Sequence, residues 1–328
     1  MTQSWMVVAA GVLAALTLAG HVTPWVLLLL TFVLGFGLVM NDPAWQAITP
    51  EIVCAENHAP AVALNSVGYN VARAVGPALG GAVIAVTSSG IAFLINAVSF
   101  FGVIFFLYRW KRPNLEHAET GRVIESMRAG FRYIRRTPVV HAVLVRTGAF
   151  SLAASSLLAL LPLIARDCQY GAAGYGLLLG SFGLGALAGA AALPRLRTCL
   201  SVDRLVAGAI LVFALMTFSA GRVASLPGLA LVLFASGTAW IGILACLNVA
   251  AQTMSPPSMR ARALSFYILV LQGGMALGSA FWGALATKFG IPTTMLLSSA
   301  ALMAGLTTVR RYRLVSEHPE LEPAIVRD

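Results

Sequence analysis

The stretch LPGLALVLFASGTAWIGILACLNVAA, residues 226–251, contains no Asp, Glu, Lys or Arg. As a helix rising 1.5 Å per residue it is ~39 Å long, more than the ~30 Å hydrocarbon thickness of a bilayer. Runs of this kind recur along the chain. Ten candidate spans are read, at about 4–20, 25–47, 63–86, 91–109, 138–164, 173–193, 204–221, 226–251, 262–287 and 291–309. Hydrophobic residues make up 59% of the 328 residues and charged residues only 10%, against roughly 25% charged in soluble domains. Mean hydropathy is +0.84. A water-soluble core cannot absorb that much apolar surface, so the bilayer is the solvent for most of the chain. The fold class is an all-α membrane protein with about ten transmembrane helices.

A net charge of +10 raises the question of nucleic acid. The basic residues answer it by their distribution. Arg109, Lys111, Arg112, Arg122, Arg128, Arg132, Arg135 and Arg136 flank or fill one gap between spans. Arg195, Arg197, Arg204, Arg260, Arg262, Arg310, Arg311 and Arg313 fall in every second gap thereafter, and only Arg166, Arg222 and Lys288 occupy the opposite gaps. This is the positive-inside pattern. It sets the basic loops and the C-terminus in the cytoplasm and leaves no role for nucleic acid. The expected location is the cytoplasmic membrane, crossed many times.

The gap from Lys111 to Thr137 is long, polar and basic. It is read as a cytoplasmic linker, part of which can lie at the membrane surface as a short helix. The expected organisation is an N-terminal bundle of four spans over 1–110, a linker over 111–137, a six-helix bundle over 138–309 and a cytoplasmic tail over 310–328. Two short matches cross that linker in the same order. Gln46-Ala47-Ile48-Thr49-Pro50 parallels Gln252-Thr253-Met254-Ser255-Pro256, 206 residues later. Gly76-Pro77-Ala78-Leu79-Gly80-Gly81 parallels Gly278-Ser279-Ala280-Phe281-Trp282-Gly283, 202 residues later. The repeat pairs the first four spans with the last four and leaves the fifth and sixth without partners. A parallel repeat of six helices would need two further spans before Met1. The alternative is a ten-span protein with an unequal repeat. The first run, Trp5 to Ala19, lacks a basic leader and is expected to stay as a helix.

No sequence signature of an enzyme is found. Lys111 precedes Arg112 and Lys288 precedes Phe289, so no phosphate loop GxxxxGK[ST] exists, and HExxH, GxSxG and paired Cys-x-x-Cys are missing too. The four cysteines, Cys54, Cys168, Cys199 and Cys246, have no metal spacing, and no cofactor or metal is expected. The five histidines, at 21, 58, 117, 141 and 318, are scattered over both sides.

Charged residues within spans are costly and default to functional candidates. Arg73 lies about ten residues into the third span, ~15 Å from its start and near the bilayer midplane. There it can meet an anionic substrate or a carboxylate, or clamp neighbouring carbonyls. Arg146 lies about eight residues into the fifth span, where its long side chain is expected to snorkel to the interface. Asp42 precedes Pro43 near the end of the second span. It can titrate with a proton gradient, cap a helix break or pair with a basic loop. Asn65, Asn70, Asn248 and Gln272 can donate to a substrate or to neighbouring helices. In Gly76 to Gly81, Pro77 removes a backbone donor, and the missing side chains of Gly76, Gly80 and Gly81 admit a neighbouring helix. That permits rocking or static close packing. Gly180 to Ala192 offers the same choice in the sixth span.

These residues also carry a resemblance. Asp42-Pro43, Gln46 to Pro50, Ala63-Leu64-Asn65-Ser66, Asn70-Val71-Ala72-Arg73 and Gly76 to Gly81 resemble the enterobactin-exporter-like branch of the major facilitator superfamily. Leu160-Leu161-Pro162-Leu163, Gly183-Leu184-Gly185-Ala186 and Leu193-Pro194-Arg195-Leu196-Arg197 are similar to that branch's second half. The resemblance implies the major facilitator fold, twelve helices of which about ten are present here, with both termini cytoplasmic. It implies alternating access around a central cavity and export of a small molecule, siderophore-like or drug-like, driven by protons. Gly76 to Gly81 also resembles the antiporter motif of drug exporters, which favours efflux. Two features depart from the pattern. The family's first two helices and the basic loop after them have no counterpart, and the helix 4 arginine motif of drug antiporters is not visible in the second span. The expected partners are a small-molecule substrate, the lipid bilayer and a proton as coupling ion, and the expected state is a monomer. The competing reading is a non-transporting membrane remnant or scaffold.

Overall fold

The structure is a computed structural model that describes residues 2–52, 68, 72, 76, 79–109, 137–253 and 257–311. The regular secondary structure among these residues is helical. In chain order the helices are α1 (Thr2–Leu18), α2 (Pro24–Ile52), α3 (Ser89–Arg109), α4 (Pro138–Asp167), α5 (Gly171–Cys199), α6 (Val202–Ala220), α7 (Leu226–Thr253), α8 (Pro257–Phe289) and α9 (Ile291–Arg311). Residues 79–86 are also helical, within the third expected span.

The helices match nine of the hydrophobic runs, and several extend past them. The sixth run ends at 193, yet α5 continues through Pro194 to Cys199. Hydropathy falls where the apolar layer ends, whereas i to i−4 hydrogen bonding continues into polar surroundings. Among the described residues, seven helices, α3 to α9, are long and apolar enough to cross a membrane. α1 and the first part of α2 form shorter apolar helices. Trp25, Phe32, Phe106 and Leu231 are 69 to 79% exposed. Such faces fit lipid, not water. α8 ends in Gly290, whose positive φ of +77° an L side chain rarely adopts. Its N–H donates to Ala286 at 3.0 Å, closing the helix before α9 begins.

The chain divides into two compact units: Met1–Ala118 with Gly171–Leu177, and Glu119–Tyr170 with Leu178–Asp328. In the first, α1 packs on α2 and α3. Met6, Ala10, Leu13 and Ala14 are its buried face, at the three- and four-residue spacing of one helix stripe. Gly37 of α2 sits against Met6 and Trp5, and Gly90 of α3 against Leu18. Gln3 Nε2 donates to Asn41 Oδ1 at 2.9 Å.

In the second unit α4 is central, touching α6, α7, α8 and α9. Leu157, Leu160 and Leu161 are fully buried there. Hydroxyls stitch the helices: Ser298 of α9 donates to the Ala153 carbonyl at 2.9 Å and lies 2.5 Å from the Ser156 hydroxyl, and Ser299 donates to Ala214 at 2.8 Å. In membrane proteins such bonds contribute about 0.6 kcal/mol each. α5 and α7 approach backbone to backbone. A methyl built on Gly185 would overlap the Phe234 carbonyl, and one on Gly237 the Phe182 carbonyl. Thr238 Oγ1 donates to the Gly185 carbonyl at 3.0 Å across the same contact.

Candidate functional site

Arg146 stands in an apolar stretch of α4 with only 2% of its surface exposed. A buried guanidinium needs an anion. Asp203, in the first turn of α6, supplies it through an ion pair to Arg146 Nη1. The position suits the carboxylate, because free N–H groups make a helix N-terminus positive. Arg146 therefore does not snorkel to water as its place in the sequence suggested. Asp203 takes up its charge within the second unit.

Two further side chains join this cluster. Arg197, near the end of α5, and Arg146 both lie near the Cys246 thiol of α7. Cys246 is fully buried. Four consecutive helices, α4 to α7, thus send Arg146, Arg197, Asp203 and Cys246 to one polar knot at the end of the unit that carries the α5–α6 turn. Asn248, one residue pair further along α7, accepts from Gln252 Nε2 at 2.6 Å. Asp203 and Cys246 were not singled out by sequence. One signal was available: Asp203 is the only acidic residue between Asp167 and Glu317, so it is the one carboxylate that the helices from α5 to α9 can offer a buried arginine.

A second feature is aromatic. Trp240 of α7 stands 5.4 Å from Phe150, 5.9 Å from Phe213 and 6.0 Å from Phe182, centroid to centroid. Its Nε1–H is buried with no acceptor among the described residues. Hydrophobic spacing alone does not distinguish this cluster from any other apolar seam.

The other sequence candidates fall as follows. Gln272 is exposed on α8, beside the small residues that press on α4. A methyl on Gly274 would overlap Ser151, and one on Gly278 would overlap Ser155 and the Leu152 carbonyl, while Trp282 Nε1 donates to Leu152 at 2.8 Å. The second copy of the repeated small-residue stretch is therefore a tight helix contact. In the first copy the three glycines differ. A methyl on Gly81 would lie 2.7 Å from the Ala172 carbonyl and 2.8 Å from Gly176 Cα, whereas Gly76 and Gly80 face open space. Asp42 lies on the backbone of α2, with its side chain outside the described residues. Arg73, Asn70, Asn65 and Pro77 lie outside the described residues altogether, as do nearly all of the 111–137 linker and most of the 310–328 tail. Among the described residues, no group of three His, Cys, Asp or Glu side chains could hold a metal ion.

The sequence matches the description "transmembrane secretion effector" over residues 1–324. The chain belongs to the transmembrane secretion effector family. Curated relatives of this family member include the enterobactin exporter EntS of Escherichia coli O1:K1 / APEC, 26% identical over 300 residues, covering 85% of this chain and 68% of the relative. EntS of Shigella boydii serotype 18 is 27% identical over 302 residues, with the same coverage. Among solved structures, the nucleoside transporter NupG superposes with a TM-score of 0.70 at 13% identity, covering 95% of this chain and 84% of that one. A bacterial homologue of the iron transporter ferroportin superposes at 0.66 with 17% identity, covering 95% and 80%. At these identities the likeness establishes the fold, that of major facilitator transporters. This secretion effector family member is a multi-pass membrane transporter and not an enzyme.

Proposed function

We propose that the chain exports a small molecule, siderophore-like or drug-like, across the cytoplasmic membrane by proton-coupled alternating access. The observation that carries this reading is the family match over residues 1–324 together with relatives named as enterobactin exporters. Efflux, rather than uptake, follows from the secretion-effector assignment. The positive-inside charge pattern supports a cytoplasmic C-terminus.

In this reading the four spans of 1–110 and the six of 138–309 are the two bundles, joined by the 111–137 linker and followed by the 310–328 tail. The working unit is a monomer. Rocking needs helix contacts that slide without opening voids, and glycine seams supply them. Gly81 against Ala172 and Gly176, and Gly278 against Leu152 and Ser155, have that character. Gly76, Pro77 and Gly80 complete the first stretch. Arg73 binds or gates the substrate at mid-membrane, Asn70 and Gln272 supply hydrogen bonds, and Asp42 is the candidate proton-coupling carboxylate. Arg146, already held by Asp203, positions helices instead of contacting substrate.

The test is efflux of a catecholate siderophore from cells lacking other exporters. The full chain is expected to release it, and Arg73→Ala to abolish release at unchanged membrane abundance. Undiminished efflux by Arg73→Ala removes that residue's role, and no efflux by the parent chain removes the export reading.

A further inference from the structure

The second unit holds a groove of about 440 Å³ between α5, α6 and α7, within the usual size range of ligand pockets. Its α5 wall carries Leu193 and Leu196, three residues apart on one helix face, and is extended by Leu200 just past the helix end. Its floor exists because α5 and α7 approach so closely: a methyl on Gly189 would lie 2.7 Å from the Thr238 carbonyl. On the α6 side, Gly208 leaves its share of the groove empty, with no atom within 4 Å of where a Cβ would stand.

The chemistry of the lining is polarised. Two of its side chains are polar, Arg204 and Thr238. The Thr238 hydroxyl is already used on the Gly185 carbonyl. Arg204 is exposed, and no described carboxylate pairs with it. Its neighbour Asp203 is committed to Arg146, and successive residues point ~100° apart around a helix, so one faces α4 and the other the groove. Arg204 lies in the first turn of α6, beside the α5–α6 turn. From there the groove continues along α6 to Val212, a distance of ~12 Å along the axis.

One cation at the membrane-surface end and an apolar slot running inward describe the complement of an anionic amphiphile. An uncharged apolar molecule would leave Arg204 unused, and a free anion would leave the slot unused. We infer that this groove binds an anionic phospholipid of the leaflet adjoining the α5–α6 turn, with its phosphate on Arg204 and one acyl chain along Leu196, Gly208 and Val212. Basic residues at the mouths of interhelical pockets recognise phospholipid headgroups in this way. Arg195, exposed at the same end of α5, adds to the positive potential. The site is separate from the proposed transport residues, and its test does not depend on transport.

The experiment counts bound lipid by native mass spectrometry. The full chain is purified in mild detergent and titrated with an equimolar mixture of phosphatidylglycerol and phosphatidylethanolamine. One retained phospholipid per chain is expected, with phosphatidylglycerol preferred roughly fivefold. Gly208→Phe, which fills the slot, should lower occupancy at least tenfold. Gly208→Leu reads the same loss if the larger variant does not accumulate. Arg204→Ala should retain lipid but lose the preference for phosphatidylglycerol. Unchanged occupancy in the Gly208 variants, unchanged preference in Arg204→Ala, or a retained mass that is not a phospholipid would overturn the assignment.

Discussion

The Arg146 guanidinium on α4 is bound to the Asp203 carboxylate at the start of α6, with 1% of the arginine side chain and 22% of the aspartate side chain exposed. Removing one partner of a buried pair leaves the other uncompensated, which costs about 3–5 kcal/mol. Asp203→Asn, which leaves the buried Arg146 charge uncompensated, is expected to lower the unfolding midpoint of the detergent-solubilised chain by more than Arg146→Ala, because the aspartate that Arg146→Ala leaves behind retains access to polar surroundings. Thermal unfolding of both variants checks the order. Equal effects would mean that Asp203 is as dependent on the pair as Arg146.

The α5–α7 seam makes a sharper prediction about packing. Gly237→Val places atoms where the Phe182 carbonyl already stands, and overpacking of this kind costs about 1–3 kcal/mol. Gly273→Ala on α8 meets nothing within 4 Å and should be neutral or better, since alanine favours helix by ~1 kcal/mol over glycine. Folded yield after size-exclusion chromatography measures both.

In the first unit the same reasoning separates neighbouring glycines. Gly81→Val is expected to reduce folded yield through its clash with Ala172 and Gly176, while Gly80→Ala leaves yield unchanged. Equal tolerance at both positions would remove the close approach at Gly81 from the account.

The aromatic cluster predicts an asymmetry. Trp240→Phe removes a buried donor that has no described acceptor and keeps most of the ring contacts, so its cost should be small. Phe213→Ala opens a cavity at a site with no exposure and should cost ~3–5 kcal/mol. Comparison of the two unfolding midpoints decides this.

Where helices cross the apolar layer was legible in the sequence, because hydropathy and span length report the same physical thickness. Leu226–Thr253 extends the 226–251 run by two residues. What lay beyond was not legible for a physical reason. The pairing of Arg146 with Asp203 joins residues 57 apart in sequence, and periodicity carries no information on which helix faces which. Gly76, Gly80 and Gly81 looked alike as letters. Only helix rotation shows that Gly81 is approached and the other two are not. Arg204 reads as one more positive-inside residue, and its place at the mouth of a groove follows from the diverging paths of α5, α6 and α7.

The most direct test of the central claim is substrate accumulation in everted membrane vesicles containing the full chain, with the vesicle interior acidified. A proton-coupled exporter would load catecholate siderophore into these vesicles and stop when a protonophore collapses the gradient. Accumulation no greater than in vesicles without the chain, or loading that ignores the protonophore, would contradict the account.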